Sequence, residues 1–239
     1  MGKYAPEHLH SSVTAVNSSP MNIQSKPVIT YRWLVFLLAA GYCFYRLVDG
    51  SWTEPGGPFR FLTIWALFMS FFSASLMLAL SCQKITHQHE ITAICTSVIN
   101  VMVVYLYWKL YFTDPALVNG DGPIVWHQEY YLHAVGPALQ IFDALFIGRV
   151  YKRVWRAALP LLGIILVYVA WAELFVQRFN TTPVGSVTSG LPYPFLNSME
   201  LSGRAAFYGA NIGMAMAILL GFGIIGVLLY RVLRSQAEA

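Results

Sequence analysis

Charge is what this sequence has least of. Asp, Glu, Lys and Arg make up 11% of its 239 residues, against about 25% in a soluble globular domain, so a water-solvated polar surface cannot be assembled over the whole chain. Cysteine is scarce too: Cys43, Cys82 and Cys95 lie in or beside apolar runs without paired spacing, which indicates neither a disulfide framework nor a zinc site. No Gly-rich phosphate loop, Gly-x-Ser-x-Gly elbow or His-Glu-x-x-His signature occurs. No Lys/Arg cluster interleaved with aromatics lies in a polar region long enough to form a nucleic-acid-binding domain. The sequence therefore implies no nucleic acid, no cofactor and no metal. His87 and His89, beside Cys82 and Glu90, lack a recognised ligand spacing and read as a solvated loop. The first residues are rich in Ser, Asn, His and Pro and have no apolar core of a signal peptide, so residues 1–28 read as a mobile polar tail.

What the chain has in abundance is apolar length. Hydrophobic residues make up 57%, and six runs are long enough to cross about 30 Å of hydrocarbon: Tyr31–Val48, Phe59–Leu80, Glu90–Phe112, His127–Ile147, Trp155–Val176 and Ala205–Val232. The expected fold is all-α, an integral membrane bundle of six transmembrane helices over residues 29–235. Lys and Arg favour one side by about two to one, concentrated in the loop that holds Arg149, Lys152, Arg153 and Arg156, which puts both termini in the cytoplasm. The membrane is then the cytoplasmic membrane of a bacterium, or the endoplasmic reticulum or plasma membrane of a eukaryote. In the last run Gly209, Gly213, Ala217 and Gly221 recur every four residues, a small-residue stripe that reads as helix packing.

Ionisable and polar groups inside such runs are expensive and point to function. With both termini inside, Thr63 in the second run, His133 in the fourth and Glu173 in the fifth fall at similar depths, roughly 5–10 Å below the outer interface, and Asn211 in the sixth lies slightly deeper. A hydroxyl, an imidazole to take its proton and a carboxylate to orient the imidazole would form a reaction centre. Buried packing explains the same residues: Thr63 shares a face with Ala66, Ser70 and Ser73, and His133 with Glu129, Pro137 and Gln140. Glu173 could instead pair with Arg178 or Arg204. Asp143, about ten residues beyond His133, is expected near the cytoplasmic end, facing Arg149 or solvent.

The sequences PFRFLTIW around Thr63, YYLHAVGPAL around His133 and LPYPFL at 191–196 resemble the androgen-induced-protein-like family of multipass membrane proteins, most closely its bacterial six-span branch. The resemblance implies an atypical threonine hydrolase of fatty acid esters of hydroxy fatty acids, with Thr63 as nucleophile and His133 as base. Glu173, Asn211 and Glu129 are then candidates for orienting the imidazole, and the partners are membrane lipids and a lipid ester substrate. Two departures stand out: Ala66 replaces an expected polar residue, and Glu129–Tyr130 replaces an Asn-His pair. The loop from Thr181 to Pro194 is long enough to act as a lid. The competing reading is a non-catalytic membrane protein, a small-molecule permease or a structural or regulatory partner.

Overall fold

The structure, a computed structural model, describes residues 22–119, 124–180 and 190–238. Residues 1–21, most of the expected tail, and 181–189, most of the expected lid, lie outside the described residues. Among the described residues every regular element is helical. Helix α1 (Lys26–Asp49) begins with Pro27 in its first turn, where a fixed φ and a missing N–H cost nothing. Its buried residues Val28, Arg32, Val35, Ala39 and Cys43 step by three and four, a single stripe that lies along α2 (Leu62–Ser81). The two run antiparallel: the Cys43 thiol donates to the Leu67 carbonyl at 3.8 Å, Phe36 stacks on Phe71 at 5.5 Å, and Arg32 Nη1 donates to the Met77 carbonyl at 2.8 Å. Helix α3 (Glu90–Thr113) is the centre of the bundle. In its most apolar window 67% of residues are buried, against 17% in that of Leu201–Val232, and a helix apolar on every side is expected to be enclosed.

By length and composition five helices can cross a membrane: α1, α2, α3, α5 (Val154–Phe179) and α6 (Leu201–Glu238). Between α3 and α5 lies α4, residues 126–147, helical throughout but divided by π-helical turns at Tyr131–Val135 and Asp143–Ile147, so that no segment of it is long enough to count. Its side chains nevertheless track α2 level by level. His133 lines the same cavity as Thr63, Gln140 Nε2 donates to the Ser70 carbonyl at 3.0 Å, and Asp143 meets the arginine bonded to Met77. Helix α4 thus runs parallel to α2 through the bundle. Outward faces carry Phe44, Leu159, Leu174, Leu220 and Ile224, each at least 63% exposed, a surface suited to lipid rather than water. We call the end at which α2, α4 and α6 begin the upper end.

Two expectations about packing change. Asp143 meets neither Arg149 nor solvent: with Arg32 it forms a bidentate pair, Nε to Oδ2 at 2.9 Å and Nη2 to Oδ1 at 2.7 Å, both side chains 2% exposed. Arg32 lies on the buried stripe of α1, which carries its guanidinium inside. The small-residue stripe of α6 also does something else. A Cβ added at Gly209, Gly213 or Gly221 would meet nothing within 4 Å, whereas at Gly226 it would lie 2.7 Å from both the Cβ and the carbonyl oxygen of Tyr151, and at Gly223 2.8 Å from Val154. The close approach within the chain is therefore at Gly223 and Gly226, where α6 crosses the basic loop. Gly226→Ala should lower stability by roughly 1–3 kcal/mol through overpacking, with Gly213→Ala unchanged or slightly more stable; thermal unfolding in detergent compares the two.

Three short segments close the upper end. Gly57–Arg60 forms a 3-10 turn before α2, pinned to α5 and α2: the Phe59 carbonyl accepts from Trp65 Nε1 at 2.8 Å and Trp171 Nε1 at 3.1 Å, and the Arg60 carbonyl from the Tyr168 hydroxyl at 2.9 Å. The buried Arg60 guanidinium donates to the Gly190 carbonyl at 3.1 Å. Gly190 has φ +70, a left-handed conformation that glycine adopts without steric cost; it turns the chain so that Leu191 and Leu196 bury against Ala172, with Tyr193, Phe195 and Phe207 packed around them. Ala116–Asn119 is the third segment.

Candidate active site

Thr63 and His133 line one cavity of about 140 Å³ at the upper end, together with Arg46, Tyr107, Gln128, Glu129 and Tyr193. Thr63 is there because Phe61 caps α2 and Leu62 opens it, so the hydroxyl sits in the first turn beside N–H groups that no carbonyl of the helix can reach. The Leu62 N–H is taken by the Tyr168 oxygen, whereas no described residue accepts from the N–H of Thr63 or bonds the Thr63 hydroxyl. The positive end of the α2 dipole therefore faces the cavity.

His133 is held from three directions. Its ring lies parallel to that of Tyr107, centroids 3.6 Å apart and planes 6° apart. Nε2 stands 3.4 Å from Glu129 Oε2, one helical turn earlier. Its carbonyl is released by Pro137, four residues on, which has no N–H to donate, and accepts instead from Trp108 Nε1 at 2.8 Å. The π-helical turn around His133 adds to the same local rearrangement, and such turns are frequent at functional sites. Nδ1 is buried with no partner among the described residues. No hydrogen bond joins Thr63 to His133; what they share is the cavity, with one unpartnered polar atom each.

A polar chain leads away from the imidazole. Gln128 Nε2 donates to Glu129 Oε1 at 3.2 Å, and Arg46 Nη1 donates to Gln128 Oε1 at 3.2 Å. The Tyr107 hydroxyl also reaches Glu129 and faces Asn119, whose Nδ2 donates to it at 3.4 Å. Tyr193 lies in the segment that closes the bundle, and burial pushes its phenol up, so the hydroxyl remains a proton donor.

Of the residues expected to orient the imidazole, the structure brings only Glu129 to it. Glu173 accepts from Arg204 Nε at 2.8 Å, Arg204 Nη2 at 3.0 Å and the Tyr208 hydroxyl at 2.8 Å, which ties α5 to α6 and leaves it outside the Thr63–His133 cavity. Asn211 Nδ2 donates to the Phe207 carbonyl at 2.8 Å and lines a different cavity. Both lie on helical faces turned away from His133. The sequence reading missed Arg46, Tyr107, Gln128 and Tyr193. The depth argument that found Thr63 and His133 applies equally to Tyr107, about two turns from the upper end of α3. Among the described residues no group of three or more His, Cys, Asp or Glu is arranged to hold a metal ion.

The sequence profile of the FAR-17a/AIG1-like protein family matches residues 28–226, a span that runs from the first turn of α1 into the last third of α6 and includes every residue of the cavity. No curated protein and no solved structure shows significant similarity to the chain.

Proposed function

The chain belongs to the FAR-17a/AIG1-like protein family, and from that premise we propose that this multipass membrane protein hydrolyses lipid esters, with Thr63 as nucleophile and His133 as general base. One observation carries the reading: Thr63 and His133 line a single cavity, and among the described residues neither the Thr63 hydroxyl nor His133 Nδ1 has a partner, while Glu129 lies against Nε2. Threonine needs a base within hydrogen-bond reach to act as a nucleophile. Nδ1 takes the hydroxyl proton as Oγ1 attacks the ester carbonyl, once a bound substrate has brought the two groups to about 2.6–3.2 Å. The carbonyl oxygen becomes an oxyanion beside the Thr63 N–H at the opening of α2. When the tetrahedral species collapses, the C–O bond to the alcohol breaks and the alcohol leaves with the proton from Nδ1. Water then adds to the acyl-threonine by the same steps in reverse, releasing the acid. Glu129 fixes the imidazole and stabilises its cationic form through Nε2.

In this reading α4 is the sixth span, both termini are cytoplasmic, and the cavity lies just below the outer interface, where a lipid's ester group can sit while its chains stay in hydrocarbon. The stacking of His133 on Tyr107 favours a second reading, a packed structural imidazole in a non-catalytic protein. A fluorophosphonate probe and a panel of lipid esters applied to purified, folded protein separate the two. We expect a covalent adduct on the peptide containing Thr63 and measurable ester turnover; a folded protein that is neither labelled nor active overturns the hydrolase reading.

A further inference from the structure

We infer that the apolar cavity beside the catalytic one is the subsite for the acyl chain of the ester, an inference that rests on the hydrolase reading. This second cavity, about 40 Å³, lies between α3, α5 and α6, where Met102, Val169 and Phe207 face it, and it shares Leu62, Pro192 and Tyr193 with the catalytic cavity. The two are neighbours across a wall three residues wide. Leu62 in that wall is the residue next to Thr63, so a chain attached to Oγ1 has this cavity beside it.

The chemistry of the lining selects its occupant. Among the described residues no charged one lines it, and three of its four polar side chains are already engaged: the Tyr168 hydroxyl on the Arg60 carbonyl, the Tyr208 hydroxyl on Glu173, and Asn211 on the Phe207 carbonyl. A buried water needs two to four polar partners, which these side chains do not offer. A hydrocarbon chain needs none. The Tyr193 hydroxyl, on the shared wall, has no hydrogen bond to any described residue, so the polar character of the site ends where the ester group would sit. Of the substrate's two halves the alcohol must depart before water attacks the acyl-threonine. The acyl half stays bound, and an enclosed apolar space next to Thr63 suits the half that stays.

Phe207 and Val169 then limit chain length. Each methylene that the cavity accepts should raise kcat/KM roughly fourfold, up to a limit set by these two side chains. Phe207→Ala should move the optimum to longer acyl chains and raise the ratio of long-chain to short-chain kcat/KM by about tenfold or more. Val169→Phe, on a half-buried position, should move it to shorter chains; because the two variants shift in opposite directions, a general loss of stability cannot imitate both. A second readout is independent of turnover. Wild-type protein in nanodiscs is irradiated with a fatty acid that carries a diazirine at its chain end, and the cross-linked peptides are identified.

Cross-links to the inward faces of α3, α5 and α6, reduced several-fold in Val169→Phe, together with opposite shifts in the chain-length profile, are the expected result. Inward cross-links with no ester turnover would sustain the apolar subsite and sink the hydrolase reading. Turnover with a chain-length profile unmoved in both variants would overturn the subsite and leave the hydrolase reading standing. Cross-links confined to outward residues such as Leu174 and Leu220 would overturn it as well.

Discussion

His133→Ala is expected to lower kcat for lipid ester hydrolysis by about 10²–10⁴-fold, the usual worth of a positioned general base, and Thr63→Ala by at least as much because no nucleophile remains. The Thr63→Ala/His133→Ala double variant should be no slower than the slower single, since groups that act as one unit are not additive. Independent packing roles would instead show separate and additive losses of stability. Glu129→Gln separates positioning from chemistry. The amide keeps the size of the side chain and a carbonyl oxygen near Nε2, now 3.4 Å from the carboxylate, but it withdraws the charge that stabilises the imidazolium. We expect kcat to fall by about 10²-fold while KM and the melting temperature stay close to wild type, because Gln128 and Tyr107 still hold the side chain. Steady-state kinetics on the best ester from the panel, beside thermal unfolding of each variant, checks all four proteins. A Glu129→Gln enzyme with unchanged kcat would remove the carboxylate from the mechanism.

How far the sequence shows this site depends on which coordinate is asked for. Hydropathy fixes the ends of the apolar runs, the ends fix depth, and depth at about 1.5 Å per residue brings Thr63 and His133 together. Rotation about the helix axis is the coordinate it leaves open, because a bundle apolar on nearly every face has no hydrophobic stripe to orient it. Glu173 and Asn211 were expected at the imidazole for that reason, and both turn elsewhere. Tyr107 and Tyr193 escaped because an aromatic residue near the end of an apolar run has an interfacial explanation ready. The interruptions of α4 had one visible signal, Pro137, which frees the His133 carbonyl; nothing in the sequence marks the second π turn around Asp143. The all-α membrane bundle itself was legible, since scarce charge and long apolar runs admit almost nothing else.

Arg32→Met is expected to be the most destabilising single change in the bundle, by about 3–5 kcal/mol. The guanidinium makes four hydrogen bonds, two to Asp143, one to the Met77 carbonyl at 2.8 Å and one to Ser81 Oγ at 2.8 Å, and so joins α1, α2 and α4 inside the bundle, where water does not reach either charge. Its removal leaves the Asp143 carboxylate 2% exposed and without its counter-ion, and a buried unpaired charge costs far more than a missing contact. Asp143→Leu should be nearly as harmful, because it strands the arginine. The Arg32→Met/Asp143→Leu double variant removes both charges and fills much of their volume with apolar atoms, so it should recover most of the loss. What it does not restore is the second bond to the Met77 carbonyl, which keeps its place in the α2 ladder, at about 0.5–1.5 kcal/mol; Ser81 Oγ keeps its own donation to the Ile23 carbonyl at 2.6 Å. Thermal unfolding in nanodiscs should therefore rank the proteins as wild type, then double variant, then the two singles. Two singles whose losses simply add in the double would show that each side chain packs independently and that the pair contributes nothing as a pair. Because the pair sits at the other end of α4 from His133, a double variant that folds should retain ester turnover, which separates the architecture that holds α4 in place from the chemistry it carries.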